Sequence, residues 1–270
     1  MNVGATGRPL AAPQLKLEIA CDLTGRSHIA GRRVSWPWSL PRGFHQHGRQ
    51  GPITVLPQAA AAGLLPGDRW RHELTLAPQA KLRMIEAGAT AVHGGGSAPG
   101  RVGWRLRVAA GAVLALFAQP FVLLPGAALR QELALTLHPN ATVVLCDGIC
   151  LRDPADAGIS WQSVLTAERE DGSKLFRDAQ SVDGPALARL SELHGDARAF
   201  ASVSVLAPEP VLGILETSLR PALAALEGYA ACAPLRGGAG LALRIACPDG
   251  GALTRAMAAV QTALDQRLFS

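Results

Sequence analysis

The chain has 270 residues, of which 49% are apolar and 17% charged, and a formal net charge of +5. That length allows a sizeable core in one large or two small domains, and the composition excludes extensive disorder. Five cysteines at irregular spacings argue against a secreted disulfide scaffold, and arginines scattered without interleaved aromatics argue against nucleic acid.

Residues 1–13 are expected to form a flexible tail rather than a signal peptide. Leu15, Leu17 and Ile19 then alternate with Lys16 and Glu18, which predicts a half-buried strand. Residues 24–52 are rich in Arg, Gly, His and Pro and predict a surface excursion with a short strand near Val34. From Trp70 the alternation is clean: Trp70, His72, Leu74 and Leu76 share one face. Trp104, Leu106 and Val108 repeat it, and so do Leu129, Gln131, Leu133, Leu135 and Leu137.

Each of these strands runs into one copy of a short phrase. The copies are Leu76-Ala77-Pro78-Gln79-Ala80-Lys81-Leu82, Val108-Ala109-Ala110-Gly111-Ala112-Val113-Leu114 and Leu137-His138-Pro139-Asn140-Ala141-Thr142-Val143. They begin 32 and then 29 residues apart. Each holds an apolar residue, a turn signal, an alanine and a second apolar stretch. A fixed period of this size marks a stacked architecture, and the unit reads as strand–turn–strand. Stacked scaffolds offer broad faces that suit partner binding. The apolar run 108–129 is too interrupted by Gly111, Gln119, Pro120, Pro125 and Gly126 to span a membrane.

Further strands are expected at 164–168 and 174–177, joined by the hairpin signal Asp171-Gly172, and at 201–206. After Pro208 the period changes. Leu212, Leu215, Leu219, Leu223 and Leu226 fall on one helix face, with a kink or break expected at Pro221. A strand at 241–245 follows, and then a second amphipathic helix through Leu253, Met257, Val260, Leu264 and Leu268, capped by Asp249. The expected fold is α+β and mostly β. A stacked, repeat-like β-hairpin or β-sheet body spans 14–207, and a helix–strand–helix part at 208–270 packs on it as one structural unit.

Catalytic signatures for phosphate binding, serine hydrolysis and zinc proteolysis are absent from the sequence. His45 and His47 share a spacing that suits one strand face, but no Cys or carboxylate nearby completes a metal site. Cys146, Asp147 and Cys150 offer two thiols and a carboxylate of the kind that holds zinc or nickel; buried packing is the competing reading for the cysteines. Asp68 closes the turn Leu64-Leu65-Pro66-Gly67-Asp68 ahead of the Trp70 strand, where hydrogen bonding to turn amides is the simplest role.

The order of several segments carries a resemblance. It runs from the Leu-Leu-Pro-Gly-Asp turn at 64–68 through the first phrase and Ala89-Thr90-Ala91-Val92-His93. It continues through Leu124-Pro125-Gly126-Ala127, Glu170-Asp171-Gly172-Ser173-Lys174-Leu175-Phe176-Arg177-Asp178 and the strand Leu241-Ala242-Leu243-Arg244-Ile245. From about Leu15 to Leu268 the chain resembles the urease accessory protein D family (UreD, also called UreH). The resemblance implies a cytoplasmic, non-enzymatic scaffold that acts with UreF and the nickel-carrying GTPase UreG. It also implies contact with the urease apoprotein, passage of nickel through an internal channel, no tightly bound cofactor, and neither nucleic acid nor membrane as a partner. Asp68 matches the family's Gly-Gly-Asp aspartate. The family's Ala-Thr-Lys-Val-Tyr stretch has Ala91 and His93 at its Lys and Tyr positions, and its Leu-Glu-Trp-Leu-Pro-Gln-Glu segment, here 114–120, has lost both acids and the Trp. Asp68, His93, Cys146, Asp147 and Cys150 are therefore the expected residues of a transient nickel path. The alternatives are a UreD-like interaction module without a urease role, and a β-rich hydrolase.

Overall fold

Apolar residues at every second position give each strand one face to bury, and this protein buries those faces between two large sheets. The computed structural model describes residues 12–153, 156–193 and 196–269; the first eleven residues of the expected tail lie outside them. The chain opens with β1 (Leu15–Cys21), β2 (Ser27–Val34), β3 (Trp38–Ser39), β4 (Ile53–Val55) and β5 (Gln58–Ala59). The repeated region follows as β6 (Arg69–Leu76), β7 (Lys81–Ile85), β8 (Thr90–Val92), β9 (Gly100–Val108), β10 (Val113–Phe117), β11 (Phe121–Leu123), β12 (Ala128–Leu137) and β13 (Thr142–Leu151). Then come β14 (Ser160–Arg169), β15 (Lys174–Asp183), α1 (Gly184–Leu193), β16 (Ala199–Leu206), α2 (Glu209–Ala224), β17 (Tyr229–Pro234), β18 (Leu241–Cys247) and α3 (Gly250–Leu268).

A seven-stranded sheet has the order β15-β14-β12-β9-β6-β1-β2. Its five central strands are parallel, and β2 and β15 close it antiparallel at either end. A nine-stranded sheet follows the path β17-β18-β16-β13-β10-β7-β4, with β11 pairing to β13 and β8. The stacked β-body expected from the repeat is present, and the topology refines how its phrases are used. The two strands joined by each phrase do not pair with each other. One lies in each sheet, and each pairs with its counterpart in the next copy, so β6 pairs with β9 and β7 with β10.

The phrases are thus corners of a coil. Each closes with the same turn bond: the N–H groups of Ala80, Ala112 and Ala141 donate to the carbonyls of Ala77, Ala109 and His138 at 3.1, 3.1 and 2.9 Å. Successive corners also bond to one another, Val113 N–H to the Ala80 carbonyl at 2.9 Å and Thr142 N–H to that of Ala112 at 3.0 Å. The three alanines are 0–1% exposed, each closed in by the stacked corners. Gln79 and Gly111 take positive φ at their corners, 62° and 65°.

Two cores result. Leu15, Leu17, Leu74, Leu82, Leu106, Leu114 and Leu129 fill the space between the sheets. On the outer face of the nine-stranded sheet, Val203, Val205, Leu243 and Ile245 meet Leu215 and Leu219 of α2 and Leu253, Met257, Val260 and Leu264 of α3. Both expected helices are present. α2 continues through Pro221 to Ala224, and Asp249 caps α3 by accepting from Ala252 N–H at 2.7 Å. α1 is an addition to the expected elements, and Asp183 accepts from Ala186 N–H at its start. One buried ion pair ties the layers together. Arg83 of β7 meets Asp265 of α3 through Nε at 2.8 Å and Nη2 at 2.7 Å, while its Nη1 reaches Gln46.

Candidate functional site

A polar seam interrupts the core between the sheets. Ser163 of β14 and Asp178 and Gln180 of β15 face inward from one sheet; Asp147 of β13, Ser202 and Ser204 of β16 and Arg244 of β18 face them from the other. Arg244 pairs with Asp178 at 2.5 Å, and Gln180 Nε2 reaches Asp178 at 3.3 Å and Ser202 at 3.2 Å. Ser163 donates to Asp147 at 3.5 Å. All of these but Arg244, with Glu86, Leu133, Leu165 and Cys146, line a cavity of about 60 Å³.

The seam exists because β13 and β16 are covered on both faces. Along β13, Val144 and Cys146 turn to the helix side, while Val143, Leu145, Asp147 and Ile149 turn inward. Along β16, Val203 and Val205 pack under the helices, so Ser202 and Ser204 face the seam. A carboxylate placed there loses hydration, which favours its neutral form. Burial pushes the Asp147 carboxyl up to about 6, against the opposing pull of Arg244. Burial likewise raises Glu86 to about 7, partly offset by its bond from Gln119 N–H at 3.0 Å. Glu86 also borders a second cavity, open and of about 400 Å³, lined by Trp38, Gln58, Gly63 and Thr90. It therefore stands between the closed seam and the surface.

The five residues expected from sequence are not gathered at one point. Asp147 lies in the seam. His93 sits beside the open cavity, its Nε2 3.4 Å from the carbonyl of Ala62, whose residue lines that cavity. Asp68 accepts from Leu65 N–H at 2.9 Å and so fixes its own turn. Cys146 and Cys150 share the face of β13 opposite Asp147, four residues and roughly 13 Å apart along the strand. Cys146 packs beneath the helices, where burial pushes its thiol well up; burial also raises that of Cys150. His45 accepts from Arg26 at 3.3 Å, and the His47 ring lies 5.7 Å from Phe269. Among the described residues no three His, Cys, Asp or Glu side chains form a metal-holding group. All five cysteines are free. Among the described residues no helix is long and apolar enough to cross a membrane.

Sequence reading missed Glu86, Asp178, Arg244, Ser202 and Ser204. The available signal was polar residues at alternate positions of strands that carry apolar residues on both flanks, as in Ser202-Val203-Ser204-Val205.

Comparison with known proteins gives a consistent family. The model of a family described as UreD urease accessory protein matches residues 11–270. The chain is 31% identical over 241 residues to urease accessory protein UreD 1 of Methylorubrum extorquens (strain PA1), covering 87% of this chain and 82% of that one. It is 33% identical over 239 residues to UreD 3 of Bradyrhizobium sp. (strain ORS 278), covering 86% and 83%. UreD 1 of Methylorubrum populi is 29% identical over 264 residues, covering 95% and 90%.

Proposed function

The chain belongs to the UreD family of urease accessory proteins, and on that premise we propose that it is a non-catalytic cytoplasmic scaffold that hands nickel to the urease apoprotein in a complex with UreF and UreG. The observation that carries the nickel reading is the seam: carboxylates held in a gap between two sheets whose inner faces are mainly apolar. Nickel is the cargo. Imidazole and thiolate bind it strongly, whereas carboxylate oxygen suits harder ions, so an acid-lined path binds it loosely enough to let it go.

Glu86 and Asp147 would act in sequence, Glu86 at the open cavity and Asp147 deeper in the seam. Each holds its proton more tightly than an exposed acid does. A divalent cation displaces that proton on arrival, and the carboxyl takes a proton back when the ion leaves. Exchange of a proton for the ion keeps the charge gained in the seam to one rather than two, which limits the cost of burial. His93 lies where an ion would enter the open cavity, and Asp68 holds the neighbouring turn. Cys150 faces the helix layer and would stand off this route, whereas Cys146 packs under the helices and also borders the seam cavity.

The test is co-expression of urease with its accessory proteins and either wild type, Glu86→Gln, Asp147→Asn or the double variant. Nickel per urease active site is then measured by mass spectrometry. Nickel loading should fall in each variant and most in the double, with UreF still retained in pull-down. Cys150→Ala should load normally. Full nickel loading by the double variant would overturn the proposed route.

A further inference from the structure

The outer face of the seven-stranded sheet carries a second feature, unrelated to the seam. Side chains that alternate with the core residues of β1, β6, β9 and β12 all point outward here. Six are arginines: Arg69, Arg71, Arg101, Arg105, Arg107 and Arg130. With Lys16 of β1 they make seven cations against the carboxylates of Glu18, Glu73 and Glu132, a surplus of four on one face of a chain whose net charge is +5.

Parallel register lines these charges up. Arg69 is the partner of Arg101 and Arg101 of Arg130, so three guanidinium groups sit side by side on strands about 4.8 Å apart. Like charges directly across a sheet destabilise it. Glu73 neutralises Arg105 at 3.1 Å and Glu132 neutralises Arg130 at 2.8 Å. Among the described residues, no acceptor meets the side chains of Arg69, Arg101 and Arg107. The same arginines line an open hollow of about 780 Å³.

Among the described residues, no helix covers this face. α2 and α3 pack on the other sheet. Parallel sheets are normally covered on both sides. Seven strands about 4.8 Å apart and ~20 Å long present roughly 600 Å² in plan, close to the ~800 Å² per partner of an ordinary interface.

We propose that this arginine face is a docking surface for the acidic surface of a protein partner. Charge complementarity names the occupant. The outward positions of β1, β6, β9, β12 and β14 hold no aromatic side chain on which nucleic-acid bases could stack. The embedded carboxylates Glu73 and Glu132 would oppose an unbroken row of phosphates, whereas a protein surface of mixed sign accommodates them.

The experiment measures binding of a fluorescent peptide of about 20 residues with alternating Glu and Ala, by anisotropy at low salt where screening is weak. Single-stranded oligothymidine and phosphatidylserine vesicles serve as the other anions. Arg69→Glu/Arg101→Glu/Arg107→Glu should weaken peptide binding about tenfold or more. The same three positions changed to Lys should retain it, and added salt should weaken it. The control Arg42→Glu/Arg189→Glu/Arg236→Glu carries an identical net charge, places its reversals elsewhere on the surface, and should bind like wild type. The proposal is overturned if both glutamate triples lose binding equally. It is also overturned if the face triple binds normally, or if oligothymidine or vesicles bind this face more tightly than the peptide. None of these measurements involves nickel, so the result is independent of the seam.

Discussion

Removing one partner of the Arg83–Asp265 pair should be among the most damaging single changes in this protein. Both side chains are under a tenth exposed, and the pair joins a strand of the first core to the last helix of the second. Phe117 lies 6.0 Å below the guanidinium, and Gln46 takes one more of its donors at 3.2 Å. Asp265 stands near the C-terminus of α3, where a helix disfavours negative charge, so Arg83 offsets the dipole as well as the burial. Asp265→Ala leaves a guanidinium buried with only an amide and an aromatic ring beside it. Breaking a buried pair in this way costs about 3–5 kcal/mol. At about 2–4 °C per kcal/mol for a chain of this size, the melting temperature should fall by roughly 6–20 °C. Replacing both partners, as in Arg83→Met/Asp265→Leu, removes the stranded charge and should restore most of the loss. Urea unfolding and calorimetry on the two singles and the double complete the cycle. A loss below about 1 kcal/mol in Asp265→Ala, or a double variant as unstable as the sum of the singles, would refute the reasoning.

Three other outcomes follow from geometry already described. The unfolded chain releases the Asp147 proton near pH 4 and the folded chain near 6, so stability falls between those values and stays lower above them. Asp147→Asn should therefore stabilise the protein by about 1–3 kcal/mol at pH 8 and by nothing at pH 4, read from urea midpoints at the two pH values. Ala112→Leu forces a larger side chain into a fully buried corner and should cost about 1–3 kcal/mol in the same assay, whereas Ala112→Gly should cost less. Asp249→Ala removes the side-chain acceptor at the start of α3 and should cost about 1 kcal/mol, with Asp249→Ser recovering most of it.

Much of the architecture was legible because local rules agree with it. Leu74 and Leu76, or Leu135 and Leu137, alternate as half-buried strands must, and the stepping of Leu253, Met257, Val260 and Leu264 leaves only a helix. The spacing of the three phrases correctly announced a stack. What it withheld was the partner of each strand, since turn residues look alike whether the next strand folds back beside the first or crosses to another sheet. Pairing here joins residues some thirty positions apart, such as Leu106 with Leu135 and Leu74 with Leu106 in successive coils. The seam was harder still. Ser202 and Ser204 look like the solvent side of an amphipathic strand, and only the helices on the far face reveal that both sides are inside. Asp178 and Arg244 are 66 residues apart and meet only once the two sheets close. Cys146 and Asp147 adjoin in sequence, yet the pleat sends them to opposite layers. Asp183 ahead of Gly184-Pro185 was a helix start signal for α1 in plain sight.

A coil built from parallel strands has a weakness at its ends: whatever aligned the second rung on the first could align another molecule on the last. This protein blunts four such margins. The seven-stranded ladder stops at β2 and β15, each folded back antiparallel with a register break, at Glu18/Ile19 and at Ala167/Glu168. Arg32 and Arg33 mark one rim, and Lys174, Arg177 and Asp183 the other. The nine-stranded ladder stops at β4, three residues long, and at β17, whose last residue is Pro234 and has no N–H to offer. Short strands, bulges, charge and proline are the devices that keep sheet edges from polymerising. Their presence at these four margins lets a growable pattern exist as a finished particle, leaving its faces rather than these edges available for contact.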